Sequence, residues 1–202
     1  VRLAAVIIAL LAGIPARACD VGLVLVFDLS ASVGEDERLL TLHGIAEALR
    51  HPYVEGAFLG QSARVRVVAF ADRAAPLTEW ISVQSPADLH AIAGMLDAPP
   101  TISIGTSTTI NSGLALAAQS LGEVDCAREV VDVMTDGEDQ RHADMSVFGD
   151  GATVNVLLVG SDPTGALRAA EMQRGLGSFT WPLTGLDDLT NALARKIAME
   201  VS

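Results

Sequence analysis

Residues 21–26, Val-Gly-Leu-Val-Leu-Val, form an unbroken apolar run that ends in Phe27-Asp28-Leu29-Ser30-Ala31-Ser32. A strand wetted on one face alternates polar and apolar residues. One with no polar face is covered on both sides, as in a parallel sheet sandwiched between helices. The run therefore calls for helices above and below it. Its end carries a second constraint. A carboxylate and two hydroxyls fall at alternate positions where the strand runs out, so their oxygens can converge on one point, as a hard divalent cation requires.

The rest of the chain agrees with a layered α/β fold, because strand and helix signals alternate. Residues 35–50 place Leu39, Leu42, Ile45, Ala46 and Leu49 at helical spacing and stop before Pro52. Strands are expected at Val65–Phe70 and, after Pro76, at Leu77–Val83 as an edge strand. Ser85-Pro86-Ala87-Asp88 has the hydroxyl, proline and acid of a helix start, for a helix running to about Leu96. A Gly- and hydroxyl-rich loop, residues 104–109, leads into a helix over Asn111–Leu121. A strand at Glu129–Met134, a polar loop to His142, a short helix at Ala143–Phe148 and a strand at Val154–Val159 follow. A helix at Ala166–Arg174, a strand at Phe179–Trp181 and a helix at Asp187–Glu200 close the chain. The fold class is thus a doubly wound, mainly parallel sheet with helices on both faces. No linker or repeat divides it, so residues 19–202 read as one domain.

Residues 1–18 read as an export signal: Arg2 before the apolar stretch Leu3–Leu11, then Pro15 and the small-residue sequence Ala16-Arg17-Ala18 before Cys19. The apolar stretch is too short to span a membrane. Cleavage after residue 18 removes two arginines and no acid, taking the net charge from −12 to −14. So acidic a surface repels nucleic acid and anionic lipid, which excludes both as partners. The expected location is the periplasm or the exterior of a bacterial cell. Cys19 and Cys126 are the two cysteines, and each starts a strand that ends in an aspartate, Asp28 or Asp136. If those strands are parallel neighbours, the cysteines begin them side by side and can be bridged. Lipidation of Cys19 is the alternative, although Ala16 stands where a lipobox normally has leucine.

Three loops share the oxygen-rich chemistry: Asp28, Ser30 and Ser32; Thr106-Ser107-Thr108-Thr109; and Thr135-Asp136-Gly137. Each has an ordinary structural use. Ser32 or Asp36 can cap the first helix, the threonine run can be a loop ending in a cap, and Asp136-Gly137 can be a turn. Together, in this order, all three fall on the carboxyl edge of the sheet, where open α/β folds bind ligands. His43, His51, His90 and His142 have no ligand spacing and read as surface residues. Trp80 and Trp181 read as packing residues, and Glu138, Asp139 and Asp144 as solvating groups near the third loop.

Asp-x-Ser-x-Ser, a later threonine in a Gly-Thr-Ser run and a later Thr-Asp-Gly resemble the metal-ion-dependent adhesion site of von Willebrand factor A domains. The order of elements from Asp20 to Ser202 resembles that fold throughout. Residues 23–33, 105–118 and 128–137 are similar to a family of secreted bacterial A-type domains of unknown function, which also tends to place cysteines before its first and fourth strands. The resemblance implies that Ser30, Ser32 and Thr108 bind a cation through their hydroxyls, with Asp28 and Asp136 acting mainly through water. Thr108 fits the pattern because Ile110 and Leu114 follow at two and six residues, with Thr106 as the alternative. The implied cation is Mg²⁺, with Mn²⁺ or Ca²⁺ suited to the same oxygen cage. The implied partner is a protein or peptide offering Asp or Glu, bound by a monomeric domain.

Two other functions compete with this adhesion-type binding module. One is a metal-dependent hydrolase or phosphatase with Asp28 as nucleophile. Aspartyl-phosphate phosphatases carry a second aspartate two residues on, where this chain has Ser30, and no nucleophile elbow, His-Glu-x-x-His or Cys/His pair occurs. The other is a structural envelope protein with a vestigial site. The expectation is a binding protein rather than an enzyme.

Overall fold

The computed structural model describes residues 18–137, 142–159, 163–173, 180–183 and 189–202. The chain runs β1 (Cys19–Asp28), α1 (Glu35–Leu49), α2 (Pro52–Leu59), β2 (Ala63–Phe70), β3 (Ala74–Pro76), β4 (Ile81–Val83) and α3 (Pro86–Asp97). It continues through α4 (Ile110–Leu121), β5 (Cys126–Thr135), a 3-10 turn (Met145–Phe148), β6 (Ala152–Val159), α5 (Pro163–Met172), β7 (Thr180–Leu183) and α6 (Leu189–Val201). The sheet order is β3-β2-β1-β5-β6-β7, with β4 also on β2. β1, β2, β5, β6 and β7 are parallel, and the short β3 and β4 lie antiparallel along the β2 edge.

The expected two-faced burial of β1 is observed. Val21, Leu23, Leu25 and Phe27 point into a core with Leu42, Ile45 and Leu49 of α1, Phe58 of α2, Ile92 of α3 and Ile197 of α6. Val24 and Val26 point the other way, against Ile110, Leu114 and Ala117 of α4 and Ala169 of α5. Each core removes apolar surface from water on one side of the same strand, which is why β1 tolerates no polar face.

From β1 the chain crosses to β2 on one side, and β5 later pairs on the other. The strand order therefore reverses between β1 and β5, and the crevice at their carboxyl ends is the ligand-binding position of such sheets. At the opposite end, Cys19 and Cys126 are register partners and form a disulfide, with a Cα–Cα distance of 4.4 Å.

Two segments depart from the sequence reading. Of the strand expected over Leu77–Val83 only Ile81–Val83 forms, and a separate three-residue strand, Ala74–Pro76, precedes the expected stretch. Thr78 explains the break: its hydroxyl accepts the Val67 N–H at 2.9 Å, replacing a ladder bond with a side-chain bond. The other departure is α2, where no helix was expected. Pro52 occupies its first turn, where no N–H is needed, and His51 accepts the Tyr53 N–H at 3.2 Å. Val54 and Phe58, four residues apart, bury its inner face.

Candidate metal centre

The end of β1 builds the first half of the site. Asp28 closes the strand, and its Oδ1 accepts both the Ser30 N–H at 3.0 Å and the Ser30 hydroxyl at 2.5 Å. These two bonds curl the chain back over the carboxylate as an Asx-type turn. Ser30 Oγ lies 3.0 Å from Ser32 Oγ, and Ser32 Oγ lies 3.0 Å from Thr108 Oγ1. Because the Ser30 hydrogen is committed to Asp28, its lone pair accepts from Ser32. The Ser32 lone pair then accepts from Thr108. The four residues thus form one polarised chain of oxygens from two distant segments.

Asp28 and Ser30 are buried, Thr108 is partly exposed and Ser32 is exposed, so the chain of oxygens opens to solvent at Ser32 and Thr108. Asp136 lies just past β5 and is buried. Burial pushes the Asp28 carboxyl up to about 6. Hydrogen bonds from Ser30 and Thr135 oppose that rise, and the Asp136 charge adds to it.

All five expected residues lie at the carboxyl edge of β1 and β5 or on the loop before α4. A direct hydrogen-bonded chain joins Asp28, Ser30, Ser32 and Thr108. The two threonine candidates differ in what they touch. Thr108 meets Ser32 through its side chain, whereas the Thr106 backbone is engaged, its carbonyl accepting the Ala31 N–H at 2.8 Å. Thr135, named from sequence only as part of the third loop and given no role of its own, also belongs here. Thr135 donates its hydroxyl to Asp28 Oδ2 at 2.7 Å and accepts the Gly137 N–H at 3.1 Å. Its signal in the sequence was a hydroxyl at the end of an apolar strand, beside Asp136. Gly137 has φ +76° and leaves no room for a Cβ against Gly165, so this turn requires glycine.

Glu138, Asp139 and the side chain of Trp181 lie outside the described residues. Trp80 is half-buried and donates its indole N–H to the Ser120 carbonyl at 3.2 Å. His43, His90 and His142 pair with Asp97, Glu55 and Glu171 on the surface. Among the described residues no group of three or more His, Cys, Asp and Glu side chains is placed to hold a metal. The hydroxyl-rich cluster is therefore the candidate cage. Neutral hydroxyls and two carboxylates are hard oxygen donors, a set that fits Mg²⁺, Mn²⁺ or Ca²⁺.

This sheet order, with helices on both faces, is a von Willebrand factor A-like α/β fold. The chain belongs to the family described as "Protein of unknown function (DUF1194)", whose model matches residues 18–202. Solved structures share the fold. An aerotolerance-related membrane protein from Bacteroides fragilis superposes with a TM-score of 0.66 at 17% identity, over 90% of this chain and 98% of that one. Proximal thread matrix protein 1 from the mussel byssus, with a zinc-occupied MIDAS motif, has a TM-score of 0.66 at 18% identity, over 90% and 46% of the two chains. A von Willebrand factor type A protein from Catenulispora acidiphila has a TM-score of 0.65 at 16% identity, over 90% and 43%. The chain thus spans nearly the whole of the first structure and less than half of the other two. No curated protein matches it by sequence. Among the described residues no helix is long and apolar enough to cross a membrane.

Proposed function

We propose that this domain is an exported, metal-dependent protein-binding module. Ser30, Ser32 and Thr108 hold a divalent cation through their hydroxyls, and Asp28 and Asp136 hold it through water. When bound, the cation supplies an electrophilic centre to which an Asp or Glu of a protein partner is attracted. The observation that carries the reading is the run of hydroxyls Ser30–Ser32–Thr108 at 3.0 Å steps, anchored on buried Asp28. Ser30 and Thr135 hold the carboxylate in place, and the partly exposed end of the cluster provides the approach for a partner. The mussel protein with its zinc-occupied MIDAS supports a metal role for this fold edge.

Mg²⁺ suits the donor set, and Mn²⁺ or Ca²⁺ can use the same oxygens. The Asp28 oxygens already accept three hydrogen bonds, from Ser30 and Thr135, which counts against their use as a nucleophile. The Cys19–Cys126 bridge supports an oxidising compartment, and it occupies the sulfur that lipidation would need. With residues 1–18 as export signal, the domain works in the periplasm or outside the cell, as a monomer.

The test is capture of partners from envelope extract in Mg²⁺ and in EDTA, with Ser30→Ala as control, beside calorimetric Mn²⁺ titration. Partner recovery lost in EDTA and in Ser30→Ala supports the reading. Equal recovery in all samples, with no heat of Mn²⁺ binding, sinks it.

A further inference from the structure

The loop that delivers Thr108 has no regular structure of its own, yet Thr108 Oγ1 sits 3.0 Å from Ser32 Oγ. Something outside the loop sets that distance. Two residues beyond the end of β2, Asp72 turns its carboxylate into the loop. Its Oδ1 accepts the Thr106 N–H at 3.2 Å and the Ser107 N–H at 2.5 Å. Two consecutive amides converging on one anionic oxygen make charge-assisted bonds, stronger and more directional than neutral ones.

The approach is close enough to constrain the sequence. Gly105 has φ +90°, and a Cβ there would lie 2.2 Å from Asp72 Cγ and Oδ2. Glycine both supplies the left-handed backbone and makes room for the carboxylate. The remaining ties from the segment just after β2 to the loop include backbone bonds that do not need the Asp72 side chain. The Arg73 N–H donates to the Ile104 carbonyl at 3.0 Å, and the Thr109 N–H to the Ala71 carbonyl at 3.1 Å.

We infer that Asp72 is a positioning residue for the metal centre, its carboxylate holding the Thr106 and Ser107 amides so that the Thr108 hydroxyl meets Ser32. This rests on the reading of Thr108 as a cation ligand. A ligand hydroxyl on an untethered loop must be ordered at the moment of binding, and that ordering cost lowers affinity. Outer groups that orient ligands typically account for 10–100-fold in metal affinity. Asp72 acts here before any metal arrives, because its bonds are made to the loop and not to the cation.

The experiment compares full chains carrying Asp72→Ala, Asp72→Asn, Gly105→Ala, Thr108→Ala and the Asp72→Ala/Thr108→Ala pair. Mn²⁺ affinity is measured by calorimetry, and hydrogen exchange of the Thr106 and Ser107 amides is measured in metal-free protein. Asp72→Ala is expected to weaken Mn²⁺ about tenfold and to speed exchange of both amides, with the midpoint of metal-free thermal unfolding little changed. Asp72→Asn keeps an acceptor oxygen and restores most of the affinity. The double variant binds no more weakly than Thr108→Ala alone. Gly105→Ala displaces the carboxylate by a separate route and decides the matter if Asp72→Ala does not fold. Wild-type affinity and exchange in Asp72→Ala or Gly105→Ala, beside a weakened Thr108→Ala, overturns this inference alone. Unchanged affinity in Thr108→Ala overturns the ligand assignment, and this inference with it.

Discussion

Thr135 and Asp28 stand 107 positions apart in sequence, yet the Thr135 hydroxyl donates to Asp28 Oδ2 at 2.7 Å. The bond ties the ends of β1 and β5 together across the switch point of the sheet. The same hydroxyl accepts the Gly137 N–H, so Thr135 sets both the carboxylate and the turn that carries Asp136. Thr135→Val keeps the shape and removes both bonds. Leaving a buried carboxylate oxygen and an amide without this partner costs on the order of 1–3 kcal/mol. Urea denaturation is expected to show that loss, Mn²⁺ titration a weaker affinity, and Thr135→Ser a recovery of both. A Thr135→Val protein as stable as the parent contradicts the role assigned to this bond.

Metal binding is expected to weaken in acid. Asp28 is pushed up to about 6, and a cation requires its ionised form. Above that pH, affinity is set by the cage alone; below it, each unit costs about tenfold as protons compete. In the metal-free protein the sign is reversed. The raised folded pKa makes Asp28 favour folding most below its unfolded value, and that contribution is lost as pH rises through about 6. The thermal shift on adding Mg²⁺ is therefore large at pH 7.5 and small at pH 5. A shift that stays constant across this range refutes the assignment.

A buried charge cluster on the α6 side of the sheet has its own pH signature. Lys196 is fully buried and pairs with Asp132 of β5 and, at 2.8 Å, with Glu200 of its own helix. Asn155 of β6 donates to Glu200 at 2.8 Å. Burial, and then the Asp132 charge, push Glu200 up to about 8, so the folded protein holds a proton there that the unfolded chain releases. That contribution is present below the unfolded value and fades as pH rises through about 8. Glu200→Gln should flatten the loss of stability between pH 6 and pH 9. Lys196→Met leaves Asp132 buried without its cation and costs about 3–5 kcal/mol by chemical denaturation.

The disulfide is expected to support stability without touching the site. It joins residues 107 apart at the amino ends of β1 and β5, opposite Asp28 and Thr135. Closing so long a loop restricts the unfolded chain, and losing the bridge typically costs about 2–5 kcal/mol. The Cys19→Ala/Cys126→Ala protein should melt earlier yet bind Mn²⁺ with parental affinity. A large change in Mn²⁺ affinity would show that the two ends of β1 are coupled.

Much of this was legible because it is written locally. Val21–Phe27 announces a strand buried on both faces, since burial is encoded by unbroken apolarity in a single stretch. Asp28, Ser30 and Ser32 announce converging oxygens because alternate residues at a strand end need only local geometry to meet. The place of each cysteine at the start of a strand that leads to an aspartate indicated the bridge, because parallel neighbours of similar length start together. The broken edge strand was not legible. Thr78 replaces a ladder bond only because Val67 of β2 lies beside it.

The residue pattern by itself determined the sheet's covered core, the oxygen-bearing loops and their order along the chain. Tertiary structure alone decided which oxygens meet: Thr108 rather than Thr106 against Ser32, Thr135 on Asp28, and Asp72 on the loop amides. These contacts join segments 34 to 107 residues apart. Their distances depend on how β1, β2 and β5 align in the sheet, and no local stretch of sequence specifies that alignment.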